Sequence, residues 1–234
     1  MECIEVNKGT LAFAPIHNTK GRKDADEFKR QAGYFLKHHD LPAGNLILID
    51  NKKNASGMRA QVYDGLRRDN PYSQGLVGVC FFCHGFKSGI QFGFRNAQAD
   101  DLADAIASFA GQAPRVPLYA CDTGRDSDRD RTDDLSAIGG DGGFADRLRD
   151  ALCEPTINAI RCVVDAHTTA GHTTRNPHVR RFEGSVGGGK GGFYIVSRNS
   201  KLWSTWRKQL KTTFRFDFPF MSVDAIHYYL NKHK

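Results

Sequence analysis

Two short runs hold the residue types that covalent acyl chemistry needs. Val77-Gly-Val-Cys-Phe-Phe-Cys-His-Gly85 ends an apolar stretch on an imidazole, and Val116-Pro-Leu-Tyr-Ala-Cys-Asp-Thr-Gly124 ends another on a thiol. A cysteine attacks as thiolate, and a neighbouring imidazole favours that form. The same imidazole can then protonate the leaving amine. The oxyanion that develops needs fixed donors. The backbone N–H groups of Gly85 and Cys121 are the candidates, and glycine lets a substrate come close.

A second cluster competes with the first. Asp165, His167, His172 and His178 lie within one stretch and are good zinc ligand types. A zinc-dependent hydrolase is therefore the rival enzyme reading. The spacing lacks the helical H-E-x-x-H pattern and its glutamate base. Cys80 and Cys83 form a C-x-x-C, but no second such pair completes a zinc cage, so they read as buried thiols. Residues 184–190 mimic a phosphate-binding loop. Gly191 stands where Ser or Thr is required, and the run precedes a strand instead of following one. No metal and no organic cofactor is expected.

Short apolar runs alternate with amphipathic stretches, and this alternation must position the reactive residues. Strands are expected at residues 11–16, 46–50, 76–83, 116–120, 160–166 and 192–197. Helices are expected at 24–39, with Asp24 as N-cap, and at 58–68, 99–110 and 143–153. Strands that are apolar throughout and separated by helices predict a doubly wound α/β fold, mostly parallel, with helices on both faces. In such sheets reactive groups gather at the carboxyl ends of the strands. If the third and fourth strands are neighbours, roughly 4.8 Å apart, His84 and Cys121 share one rim. Residues 122–142 and 167–191 read as long loops.

On these two motifs the chain resembles the caspases, metacaspases, legumains and gingipains. His-Gly-x-x-x-Gly at 84–89 and Ala-Cys-x-x-Gly at 120–124 look most like the legumain form. The resemblance implies a caspase-like fold over residues 1–197, a His84/Cys121 dyad and endopeptidase activity on a peptide or protein substrate. Such enzymes commonly read the side chain before the scissile bond with a charged pocket. Asp165 is the leading candidate for reading Arg or Lys, with Asp122 and His172 beside it. Arg175, Arg95, Arg180 or Arg181 would instead read an acidic side chain. Relatives often process themselves in a linker like the Asp/Arg-rich run after Cys121, which puts self-cleavage after Arg125, Arg129 or Arg131.

Composition bounds the rest. The chain has 234 residues, 40% of them hydrophobic, enough for one large domain with an appendage. The start carries no secretory pattern, and no apolar run is long enough to cross a membrane, so a cytoplasmic location is expected. Residues 198–234 hold eight Lys and Arg against two Asp, and so carry almost all of the net charge of +7. This segment reads as a basic, aromatic helical extension packed on the main domain. An inactive caspase-like module whose basic tail, with Trp203 and Trp206, binds nucleic acid is the remaining alternative. The oligomeric state is left open.

Overall fold

A computed structural model describes residues 9–67, 75–125, 138–154, 161–168, 179–184 and 192–194. The elements in chain order are β1 (Thr10–Pro15), α1 (Asp24–His38), β2 (Leu46–Ile49), α2 (Ala55–Arg67) and β3 (Leu76–Phe82). Three two-residue strands follow: β4 (Gly85–Phe86), β5 (Gly89–Ile90) and β6 (Phe94–Arg95). Then come α3 (Ala99–Ala107), β7 (Ala110–Tyr119), β8 (Ile138–Gly139), α4 (Phe144–Leu152), β9 (Cys162–His167), β10 (Val179–Gly184) and β11 (Gly192–Tyr194).

The main sheet has the order β2-β1-β3-β7-β9-β10-β11-β8. Its first five strands pair in parallel and the last three join antiparallel. The doubly wound α/β fold is thus present. Phe28, Ala32, Phe35 and Leu36 of α1 cover one face, against Ala12, Ala14, Cys80 and Phe82. Helices α2, α3 and α4 cover the other, where Phe13, Phe81, Val116, Leu118, Val164 and Phe182 meet Val62, Leu102 and Leu148. Burying each large apolar side chain contributes about 1.5–3 kcal/mol, so both faces resist solvent entry. Strand residues alternate between the faces. Cys80 and Cys83 accordingly point to opposite sides, both fully buried, and cannot share one metal ion.

Several expectations need correction. Residues 167–191 are not all loop, because β10 lies within them and pairs with β9 along its length. Arg180 takes a core-facing position on β10 and is only 4% exposed, so the apolar alternation that marks a half-buried strand is broken. The fourth parallel strand starts at Ala110, earlier than expected, and α3 ends at Ala107. β8 lies inside the expected 122–142 loop. The start of α1 also differs. Lys23 occupies the cap position, with no side-chain cap bond, and Asp24 is the first helical residue. His172, Arg175, His178, Arg129, Arg131 and the 198–234 extension lie outside the described residues. Among the described residues no helix is long and apolar enough to cross a membrane.

Candidate functional site

β3 and β7 are hydrogen-bonded neighbours, with Phe82 opposite Tyr119. The paired register ends there; Gly85 lies against the Cys121 peptide, His84 follows the end of β3, and Cys121 follows the end of β7. Alternation assigns both to the face that α1 covers. Cys80 and Phe82 face α1, and His84, two residues on, meets the Phe28 ring edge-on at 5.1 Å. The strand adjacency that a shared rim requires is present: β3 and β7 are neighbours, parallel and end together.

The contact between the two strand ends is close. A Cβ on Gly85 would sit 2.3 Å from the Cys121 carbonyl oxygen and 2.7 Å from its amide nitrogen. Only glycine lets the backbone after His84 lie against the Cys121 peptide. The imidazole segment is anchored on its other side too. Gln91 N donates to His84 O at 2.9 Å, and His84 N donates to Gln91 Oε1 at 3.2 Å.

Beyond Cys121 the chain turns sharply. Asp122 has φ +61°, in the left-handed region that favours glycine but that Asp tolerates. Thr123 Oγ1 donates to Ala120 O at 2.9 Å, and Arg125 Nη1 donates to Asp122 Oδ1 at 3.0 Å. Gly124 N donates to His167 O at 2.9 Å, tying this turn to the end of β9. The result is a half-buried thiol at the apex of a hydrogen-bonded turn. Strain of this kind persists where surrounding bonds over-determine it.

The residue that sequence reasoning missed is Asp24. Its Oδ2 lies 2.6 Å from His84 Nε2, and its Oδ1 accepts from the Thr19 and Ala25 amides at 2.8 and 3.0 Å. Burial pulls the Asp24 pKa upward, but the hydrogen bonds from Thr19, His84 and Ala25 outweigh it and hold the carboxyl well below the usual carboxylate range. An ionised Asp24 keeps the proton on Nε2. Nδ1 of a neutral His84 is then the basic nitrogen. Asp24 follows β1, which the sheet places beside β3, an adjacency that the sequence does not state. A capping role at the helix start absorbed the residue.

No family model matches the chain. No curated protein and no solved structure matches it. The site is therefore read from its own geometry.

Asp165 is set back from the rim. It lies opposite Pro117, four residues before Cys121, or roughly 13 Å along the strand. Its carboxylate accepts from Arg181 Nε and Nη2 at 2.9 and 3.2 Å, a two-point pair with side chains only 14% and 12% exposed. Asp165 and Arg181 are direct cross-strand partners. Nearer the rim on the same face are Tyr119, stacked on Phe82 at 4.4 Å, and His167, whose ring lies 6.1 Å from Tyr119. Burial, with Cys80 and Asp165 nearby, pushes the Tyr119 hydroxyl pKa up. Asp122 spends its carboxylate on Arg125. Arg180 is buried and donates to Gly124 O at 3.2 Å, supporting the turn after the thiol. Arg95 lies over the Phe86 ring, 4.7 Å from its centroid. Of the three histidines in the rival zinc cluster, only His167 is described, and among the described residues no group of three or more His, Cys, Asp or Glu is placed to hold a metal ion.

Proposed function

We propose that the protein is a cysteine endopeptidase of the caspase–legumain type. The observation that supports this reading is the parallel pairing of β3 with β7, whose ends are followed by His84 and Cys121, together with the 2.6 Å contact of Asp24 Oδ2 with His84 Nε2. A nucleophile, its base and an orienting carboxylate form the minimal set for acyl transfer.

In this reading His84 Nδ1 takes the Cys121 proton, and the thiolate attacks the scissile carbonyl carbon. The oxyanion is met by the backbone N–H groups of Cys121 and Gly85. His84 then gives its proton to the leaving amine, and water releases the acyl group by the reverse sequence. Asp24 stays ionised throughout and holds the ring in its productive tautomer. Asp165, on the same sheet face as Tyr119 and His167, is the carboxylate this reading assigns to selecting Arg or Lys before the scissile bond. It shares its charge with Arg181, and its setback from the rim requires the substrate or the sheet end to shift toward it.

Self-processing in the Asp/Arg-rich run fits the same preference. Arg125 is tied to Asp122, so the scissile sites fall at Arg129 or Arg131. The reading includes a cytoplasmic location, with Cys121 working as a thiol.

The deciding assay is cleavage of a peptide library by wild type, Cys121→Ala and His84→Ala. Cleavage by wild type alone is the expected result. Activity retained by both variants rejects the assignment.

A further inference from the structure

A second pair of thiols lies away from the rim. Cys153 is the C-cap residue of α4, and Cys162 opens β9. Their sulfurs are 3.5 Å apart, and the residues are 0% and 2% exposed. The pair is clamped from a third direction: a Cβ on Gly184 of β10 would sit 2.3 Å from Cys153 Sγ. The Arg149 guanidinium, 1% exposed and bonded to Asp146 and Asp150, belongs to the same cluster. Nothing in the peptidase mechanism uses these sulfurs. A disulfide requires about 2.05 Å between sulfurs, so the pair must draw together by roughly 1.5 Å to bond.

We propose that Cys153 and Cys162 are a redox-active dithiol that closes to an intramolecular disulfide when a hydroperoxide oxidises it. Cys153 is the attacking sulfur. The adjacent Cys162 thiol and the Arg149 guanidinium lower its pKa, against the opposing effect of burial. The Cys153 thiolate attacks one peroxide oxygen. The O–O bond breaks, and hydroxide leaves and takes up the proton that Cys153 shed. The Cys162 sulfur then displaces the oxygen of the sulfenic acid as it loses its own proton. One hydrogen peroxide and two thiols give one disulfide and two waters, with two electrons passing from sulfur to oxygen. Both sulfurs are buried, so oxidation requires a local opening, for which the last turn of α4, between Cys153 and the partly exposed Glu154, is the natural place.

The cross-link fastens α4 to β9. At the other end of α4, Phe144 N donates to Lys87 O at 3.0 Å and Ala145 N to Thr123 O at 3.1 Å. Those carbonyls belong to the segments that follow His84 and Cys121. The disulfide therefore secures the helix on which both reactive segments rest.

The test uses the full chain with Cys121→Ala, so its result is independent of the peptidase reading. The protein is treated with increasing hydrogen peroxide, then unfolded, alkylated and mapped by mass spectrometry. Expected are loss of the Cys153 and Cys162 thiols in step, a peptide linking the two, a raised Tm, and full reversal by dithiothreitol. With Cys162→Ser in the same background, dimedone should trap a sulfenic acid at Cys153. Should that variant not fold, the disulfide map of the parent decides alone. Cys153 and Cys162 left alkylatable at doses that oxidise the other cysteines would overturn the proposal, as would scrambled linkage to Cys80 or Cys83.

Discussion

Asp24 Oδ2 lies 2.6 Å from His84 Nε2, and this contact links the segment after β1 to the segment after β3. It also gives Asp24 a role that its place at the start of α1 does not suggest. Asp24→Asn should lower kcat by about 10²–10⁴-fold with little change in KM, because the imidazole loses its preferred tautomer and the imidazolium its counter-charge. Stopped-flow or steady-state kinetics on the best library peptide measures this. An unchanged kcat removes Asp24 from the mechanism.

The same carboxylate makes a pH-dependent contribution to stability. Its folded pKa lies below its unfolded value of about 3.9, so the unfolded chain binds more protons in the acid range. The contribution is complete above the unfolded value and fades as pH falls below it. Asp24→Asn should therefore cost on the order of 1–3 kcal/mol at pH 7, and the difference from wild type should shrink as pH approaches 3. Urea unfolding at several pH values reads the trend. A difference that grows toward low pH would reverse the sign of the account.

Gly85→Ala probes the closeness of the two strand ends. The added methyl would fall 2.3 Å from the Cys121 carbonyl oxygen, which is backbone and cannot rotate away. The expected loss is about 1–3 kcal/mol, with peptide cleavage falling further than stability because β3 and β7 must separate. Thermal melts and kinetics on the same sample decide it. Wild-type activity in a stable Gly85→Ala protein would mean that the two segments do not meet in solution.

Arg181→Ala leaves the Asp165 carboxylate without its two-point partner in a mostly buried position. Stability should drop by about 2–4 kcal/mol, near the range for breaking a buried pair. The ratio of kcat/KM for basic over neutral side chains before the scissile bond should rise, since Asp165 no longer shares its charge. A fall in that ratio would assign selection to another group.

Much of this was legible in the sequence, and the failures have physical causes. β1, β2, β3, β9 and the second half of β7 are largely apolar because helices cover both faces of the parallel sheet, so each stands out from its flanks, whereas the first half of β7, with Gln112 and Arg115, does not. The placement of His84 and Cys121 at the ends of two adjacent parallel strands was legible because each directly follows an apolar run. β10 was not, since Arg180 points inward and Arg181 is engaged across the ladder by Asp165; both look like loop residues until the antiparallel pairing exists. The small sheet of β4, β5 and β6 consists of two-residue strands, too short for any periodicity. The Asp24–His84 contact joins residues 60 apart in the chain, and a residue type that suits a helix start gave no reason to look for it.

In the proposed peptidase, β3 and β7 place one imidazole beside one thiol. The most direct measurement is the rate at which iodoacetamide alkylates Cys121 at pH 7, followed by peptide mass spectrometry in wild type and His84→Ala. Cys80 and Cys83 are buried and serve as internal references. Cys121 should react well ahead of them in wild type and slow by about tenfold or more without the imidazole. Equal rates in the two proteins, or a Cys121 no faster than Cys80 and Cys83, would contradict the account.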